Sequence, residues 1–301
     1  MSTRSAEEEA VRAGLLYAVS AYLFWGLFPA YLKLLHGVPA LEMLAHRTFW
    51  AVPFGALMLA PRGQWKEVFA AFRSRRVLML LVVTSLAVTA NSGLLAWTVV
   101  HGVVLQSSLA NYLNPLMYVA VGVLFMREKL RPTQVAAVIL AGLGVLALAI
   151  GLGEFPWVSI LMALLFTVYG YIRKTVPVGA MPGLFIETAF MAPLAGLYLF
   201  SLEQSGVGAF GADRPGFSVL LVLLGPMAAV PLMLFALGAR KLKMSTAGIL
   251  QYITPTGHFI LGIYFGEAFT LAHAVCFTLI WAALILFSMD AFGASRARAA
   301  R

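Results

Sequence analysis

Charge is what this sequence has least of. Asp, Glu, Lys and Arg make up 11% of its 301 residues, where a soluble domain runs near roughly a quarter. With 61% hydrophobic residues, that deficit excludes an ordinary soluble module and points to an integral membrane protein. Cysteine is almost missing too. The lone Cys276 cannot form an internal disulfide, and its apolar run makes it a packing residue. No His, Cys, Asp or Glu cluster has metal-ligand spacing. No Gly-rich loop follows a strand, and no nucleophile has a base nearby in sequence. Neither an enzyme nor a cofactor or metal is expected. The apolar runs do not alternate, which sets aside a β-barrel. The first residues, MSTRSAEEEAVR, are polar and acidic, unlike a cleaved signal peptide, and read as a cytoplasmic tail.

What is present is a series of long apolar runs. Ten are expected to cross the membrane, at 13–35, 39–60, 77–98, 103–126, 132–152, 155–172, 180–200, 217–238, 244–265 and 270–290. The link at 61–76 is basic and amphipathic, with Trp65 and Phe69 placed for the interface. Residues 202–216, with several Gly and Pro215, read as an external loop. The formal charge of +9 is a matter of topology rather than nucleic acid. With the N-terminus inside, 18 of the 21 Lys and Arg fall in cytoplasmic segments, Arg173 and Lys174 among them, and Arg214 alone is external. Lys33 and Arg47 lie within spans. This asymmetry puts both termini in the cytoplasm.

The second apolar pattern is an internal echo. Residues 105–128 read LQSSLANYLNPLMYVAVGVLFMRE, and residues 245–267 read STAGILQYITPTGHFILGIYFGE. Tyr112 and Tyr252 are 140 positions apart, as are Pro115 and Pro255, and the segments end in Glu128 and Glu267. A Pro inside an apolar helix frees a carbonyl and bends the helix. Pro115 and Pro255 are therefore expected to mark kinks or gates facing a cavity. Ten spans in two halves, 1–152 and 153–301, give five each. Five is odd, so the halves enter the membrane from opposite sides as an inverted repeat, the arrangement of many alternating-access carriers. The expected fold is all-α and integral to the membrane, with ten helices in a 5+5 inverted repeat.

These features, with Val38-Pro39 and His46-Arg47-Thr48-Phe49-Trp50, resemble the drug/metabolite transporter superfamily. Ala21-Tyr22, Trp25-Gly26, Pro29-Ala30-Tyr31, Lys33, Ile186-Glu187-Thr188 and Gln251-Tyr252-Ile253-Thr254-Pro255 narrow the resemblance to EamA-type carriers of the RarD group. YddG-type amino-acid exporters are relatives of the same fold. The resemblance implies a bacterial inner-membrane carrier exporting small neutral metabolites, amino acids first and hydrophobic drugs second. A non-transporting sensor or scaffold is disfavoured by the short loops. The partners implied are a small-molecule substrate and the bilayer. Proton coupling stays open.

Arg47 is the most informative charge. It falls about eight residues, or roughly 12 Å, into its span, where an ionisable group faces a cavity or a partner. Glu187 lies 140 positions later, at a matching depth. Two compatible readings follow: a self-neutralising Arg–Glu pair, or a site in which Arg47 holds a substrate carboxylate and Glu187 an ammonium. His46 reads as a satisfied polar residue, and Lys33 as snorkelling to the headgroups. Trp25, Trp97, Tyr112, Tyr169 and Tyr252 are aromatic candidates for the cavity wall. Asn91, Asn111, Asn114 and Gln251 are buried amides that each need a partner, and Asn91 and Gln251 join the candidate site. Ala137 and Ala141 form a small-residue face for helix packing.

Overall fold

In a computed structural model, residues 3–101, 103–151, 155–211, 214–265 and 271–299 are described; Glu267 and Arg301 fall outside them. They form twelve α-helices and no strand. The helices are α1 (Thr3–Leu32), α2 (Ala40–Leu59), α3 (Trp65–Arg73), α4 (Arg75–Val100), α5 (Val104–Leu124) and α6 (Pro132–Gly151). They continue as α7 (Trp157–Thr175), α8 (Ala180–Gln204), α9 (Pro215–Lys241), α10 (Met244–Leu250), α11 (Ile253–Tyr264) and α12 (Leu271–Ala299).

Among the described residues, seven segments, in α1, α4, α6, α7, α8, α9 and α12, are long and apolar enough to cross a membrane. The other apolar runs fall short for visible reasons. α2 carries Glu42, His46 and Arg47. α5 carries Gln106, Ser107, Asn111 and Asn114. The 244–265 run is split between α10 and α11. The hydrophobic pattern is inside out. On α6, Val135, Ile139, Leu143, Leu146 and Ile150 are exposed at helical spacing, while buried polar groups such as Glu42, His46, Asn114, Arg173 and Glu187 lie on α2, α5, α7 and α8. A surface of that kind suits lipid, not water.

Three contacts form the spine: α6 on α12, α2 on α8, and α5 on α10. Around them α1 packs on α9 and α4 on α7, α2 on α9 and α4 on α8, and α5 on α7 and α1 on α11. Small residues permit the close approaches. Ala137 and Ala141 are fully buried in the α6–α12 interface, as expected, together with Cys276. A side chain on Gly225 of α9 would stand 2.4 Å from the backbone of Trp50. The short α3 is amphipathic as expected. Val68 and Ala71 face inward, while Phe69 and Phe72 face out, and Glu67 accepts the Gly179 N–H at 3.1 Å.

Candidate functional site

The α2–α8 crossing, with α4, α7 and α9 around it, lines a partly open cavity. Its charged wall residues are Arg47 from α2 and Glu187 from α8, with Tyr169 from α7 beside them. Leu44, Leu184, Met191 and Leu232 make much of the remainder apolar. Arg47 donates through Nη2 to Ser92 Oγ at 3.4 Å. The Ser92 proton is already committed to Val88 O at 2.9 Å, so the guanidinium meets a neutral acceptor. Among the described residues no carboxylate pairs with Arg47.

Glu187 is held from the other side. Thr84 on α4 donates to its Oε1 at 2.6 Å, and Ser85 donates to its backbone oxygen at 2.7 Å. Its cationic partner is Arg173, whose Nη1 lies 3.6 Å from Oε1. Of the two readings, the self-neutralising Arg47–Glu187 pair does not form here, because Arg173 takes its place at Glu187. Arg173 is fully buried, not one of the loop charges the sequence pattern made it. Gly183 makes the room, since a side chain there would stand 1.9 Å from Arg173 Nη1. Arg173 also donates from Nη2 to Ala180 O at 2.5 Å. The turn joining α7 to α8 is tied down in its turn. Arg240 donates to Arg173 O, Val176 O and Val178 O. Lys174 donates to Ala239 O and Leu242 O near the end of α9. A buried charge pair on so anchored a turn has little freedom to separate, and removing one member leaves an uncompensated charge at a cost of roughly 3–5 kcal/mol.

Comparison with known proteins now places the chain. Residues 12–150 match the EamA-like transporter family. An uncharacterized transporter of Vibrio cholerae is 39% identical over 97% of both chains. Protein RarD of Escherichia coli is 36% identical over 95% of this chain and 97% of its own. The chain belongs to the EamA-like transporter family. It is a RarD-like permease of the drug/metabolite transporter superfamily: a multi-pass membrane transporter, not an enzyme. A crystal structure with 18% sequence identity has the same fold, with a TM-score of 0.69 over 91% of this chain and 96% of that one.

Of the candidate residues, the transporter's cavity gathers Arg47, Tyr169 and Glu187. Trp25 stands next door, its ring 5.8 Å from both Phe166 and Phe235, in the cluster that holds Tyr169. Its carbonyl receives His258 Nε2 at 3.1 Å. The others lie off the wall. Asn91 donates to Met162 O at 2.8 Å, a bond between α4 and α7. Trp97 is partly exposed and stacks on His101 at 4.2 Å. Tyr112, Tyr252 and Gln251 are buried where α5 meets α10, and Tyr252 donates to Tyr112 O at 3.2 Å. Pro115 and Pro255 are buried there too, and neither faces this cavity. Pro115 sits inside an unbroken α5, whereas the chain breaks at Gln251–Tyr252, just ahead of Pro255.

Thr84, Ser92 and Arg173 are the members that pattern reading missed. A signal for Arg173 was present. It stands 14 residues before Glu187 across a short turn, so the two helix ends bring opposite charges together. At the far end of α2, His46 Nδ1 receives Trp50 Nε1–H at 3.2 Å and Nε2 lies 3.8 Å from Glu42. Lys33 has its Nζ 3.2 Å above the Phe265 ring.

Proposed function

We propose that this transporter exports small metabolites bearing a carboxylate, amino acids among them, by alternating access between two five-helix halves, 1–152 and 153–301. One observation carries the substrate part: Arg47 faces the cavity with no carboxylate partner among the described residues. A guanidinium placed so in a low-dielectric interior is suited to a bidentate anion.

The packing supports the halves. Exchange α1 with α7, α2 with α8, α4 with α9, α5 with α10–α11 and α6 with α12. The spine contacts then map onto themselves, and the flanking contacts onto one another. The family match over 12–150 is one such half. On this reading α2, α5 and the α10–α11 segment also span the membrane, giving ten, and both termini are cytoplasmic. The polar residues that lower their hydropathy are those turned to the interior. Proton antiport through Glu187 requires the Arg173 pair to open.

A hydrophobic solute is the second reading, favoured by the Leu and Met wall of the cavity. The test is flux in proteoliposomes with Arg47→Met. Loss of carboxylate flux from a folded variant supports the first reading. Parent-rate flux from Arg47→Met removes Arg47 from the site and leaves the apolar wall as the recognition surface.

A further inference from the structure

The cavity contains a charge imbalance that bears on the class of solute it takes. Glu187 is neutralised at 3.6 Å by Arg173 and capped by the Thr84 hydroxyl. Arg47 has only the neutral Ser92 oxygen. The three charges closest to the cavity therefore sum to one positive. Several donors beside it remain uncommitted. The buried Tyr169 hydroxyl lies in the field of all three charges with Arg173 close enough to donate to its oxygen, and its own proton has no acceptor among the described residues. The guanidinium of Arg47 has further N–H groups beyond the one directed at Ser92. The hydroxyls of Thr48, Ser85 and Thr188 are spent on backbone carbonyls.

We propose that the cavity selects solutes of net negative charge, organic monoanions with one carboxylate, over zwitterions and neutral molecules. The carboxylate lies between Arg47 and the Tyr169 hydroxyl and neutralises the site. A zwitterion brings the same carboxylate but also an ammonium, and the one acid on the wall is already held by Arg173. Its ammonium is left with hydroxyl oxygens that carry no charge, a poor exchange for water. Arg173 is the positioning residue: by occupying Glu187 it sets the sign of the preferred solute. The inference rests on the carrier reading above and sharpens its substrate. It also supplies a driving force. A monoanion leaving a cell that is negative inside moves down the membrane potential, which sustains a gradient of about fifty-fold per 100 mV without ATP or proton.

Three probes of one shape test it: 3-phenylpropionate (net −1), phenylalanine (zwitterion) and 3-phenylpropanamide (neutral). Binding is measured by thermal shift of the purified chain, and flux in proteoliposomes with a potassium–valinomycin potential. The expected result is that 3-phenylpropionate binds about ten- to hundredfold tighter than the other two, the range of a charge-assisted hydrogen bond, and that its outward flux rises with inside-negative potential. Arg47→Gln removes that advantage. Arg173→Gln frees Glu187 and moves the preference toward phenylalanine, an exchange that a merely structural arginine does not produce. Should Arg173→Gln fail to fold, Arg47→Gln and the three probes decide alone. Phenylalanine binding as well as or better than 3-phenylpropionate overturns the inference and leaves the carrier reading intact. Three probes that bind and cross equally, unaffected by Arg47→Gln, overturn it as well. If none of the three binds or crosses, the inference and the carboxylate-carrier reading fall together.

Discussion

Segments 104–124 and 244–264 share their landmarks, Tyr112 and Pro115 in the first and Tyr252 and Pro255 in the second, yet only the second is broken. α5 runs without interruption through Pro115. The other segment ends as α10 at Leu250 and restarts as α11 at Ile253. Proline is not the deciding difference. Pro29, Pro53, Pro193, Pro226 and Pro231 also lie inside helices that continue past them. Glycine is what distinguishes the two segments. Gly248 lets α10 close on α5, where a side chain would stand 2.7 Å from Pro115 O. Gly257 lets α11 close on α1, where one would stand 2.8 Å from Gly26 Cα. In α5 the positions 140 residues earlier are Ser108 and Met117. The α10–α11 segment is thus drawn to two partners, and the break lets each half follow its own. At the break the backbone tightens: the Thr254 N–H bonds Gln251 O at 3.0 Å, taking the acceptor that Pro255 cannot serve.

The largest effect is expected where the glycines make contact. Gly257→Ala forces α1 and α11 apart and should destabilise by roughly 1–3 kcal/mol, the range for overpacking. Gly93→Ala in α4 is the matched control, since a side chain there meets nothing within 4 Å. It should stabilise by about 0.5–1 kcal/mol through the lower entropy of the unfolded chain. Melting of the detergent-solubilised protein reads both. Equal shifts would show that the approach at Gly26 is not what divides the segment.

The prolines should give a smaller difference. Pro115→Ala offers a new N–H toward Asn111 O inside a continuous helix, worth about 1 kcal/mol. Pro255→Ala offers one where the acceptor is already in use and the residue sits in a first helical turn, where a missing donor costs little. Its melting temperature should stay with the parent. If Pro255→Ala gains as much as Pro115→Ala, the break is proline's work after all.

These differences set the limit on what was legible beforehand. The helices, the amphipathic α3 and the Arg47 and Glu187 positions follow from hydropathy, from the cost of a buried charge and from the 140-residue offset, and Tyr169 from being an aromatic ring with a polar handle in an apolar span. The offset also made Tyr112 and Tyr252 equivalent positions and cavity candidates, but it could not say that they bury against each other while the Arg47 cavity lies at the α2–α8 crossing. That depends on which glycines let which helices touch. Arg173 was misassigned for a related reason. Charge counting treats an arginine at a helix end as solvated, and only the space left by Gly183 admits it to the interior. Thr84 and Ser92 are unremarkable as single polar residues in a long apolar helix. They gain meaning only when α8 and α2 are seen to bring Glu187 and Arg47 against them.

The smallest expected effect sits where α5 ends. Arg127 has φ 54°, the one non-glycine with positive φ among the described residues. Its left-handed turn closes α5, with Glu128 N–H bonding Gly122 O at 2.9 Å. The same turn aims the Glu128 carboxylate at the start of α10. There it accepts Met244 N–H at 2.6 Å, Ser245 N–H at 3.0 Å and the Ser245 hydroxyl at 2.6 Å. The end of the unbroken helix thus fastens the start of the broken segment. Holding a side chain in this conformation costs roughly 1–2 kcal/mol, and glycine returns part of that through its larger unfolded entropy. Arg127→Gly should therefore raise stability by about 0.5–1 kcal/mol and leave the Glu128 bonds in place. Arg127→Val should lower it, because a β-branched residue resists the turn and pulls Glu128 off α10. If Arg127→Val melts with the parent, the link between the two segments does not depend on that turn, and α10 is held by its packing on α5 alone.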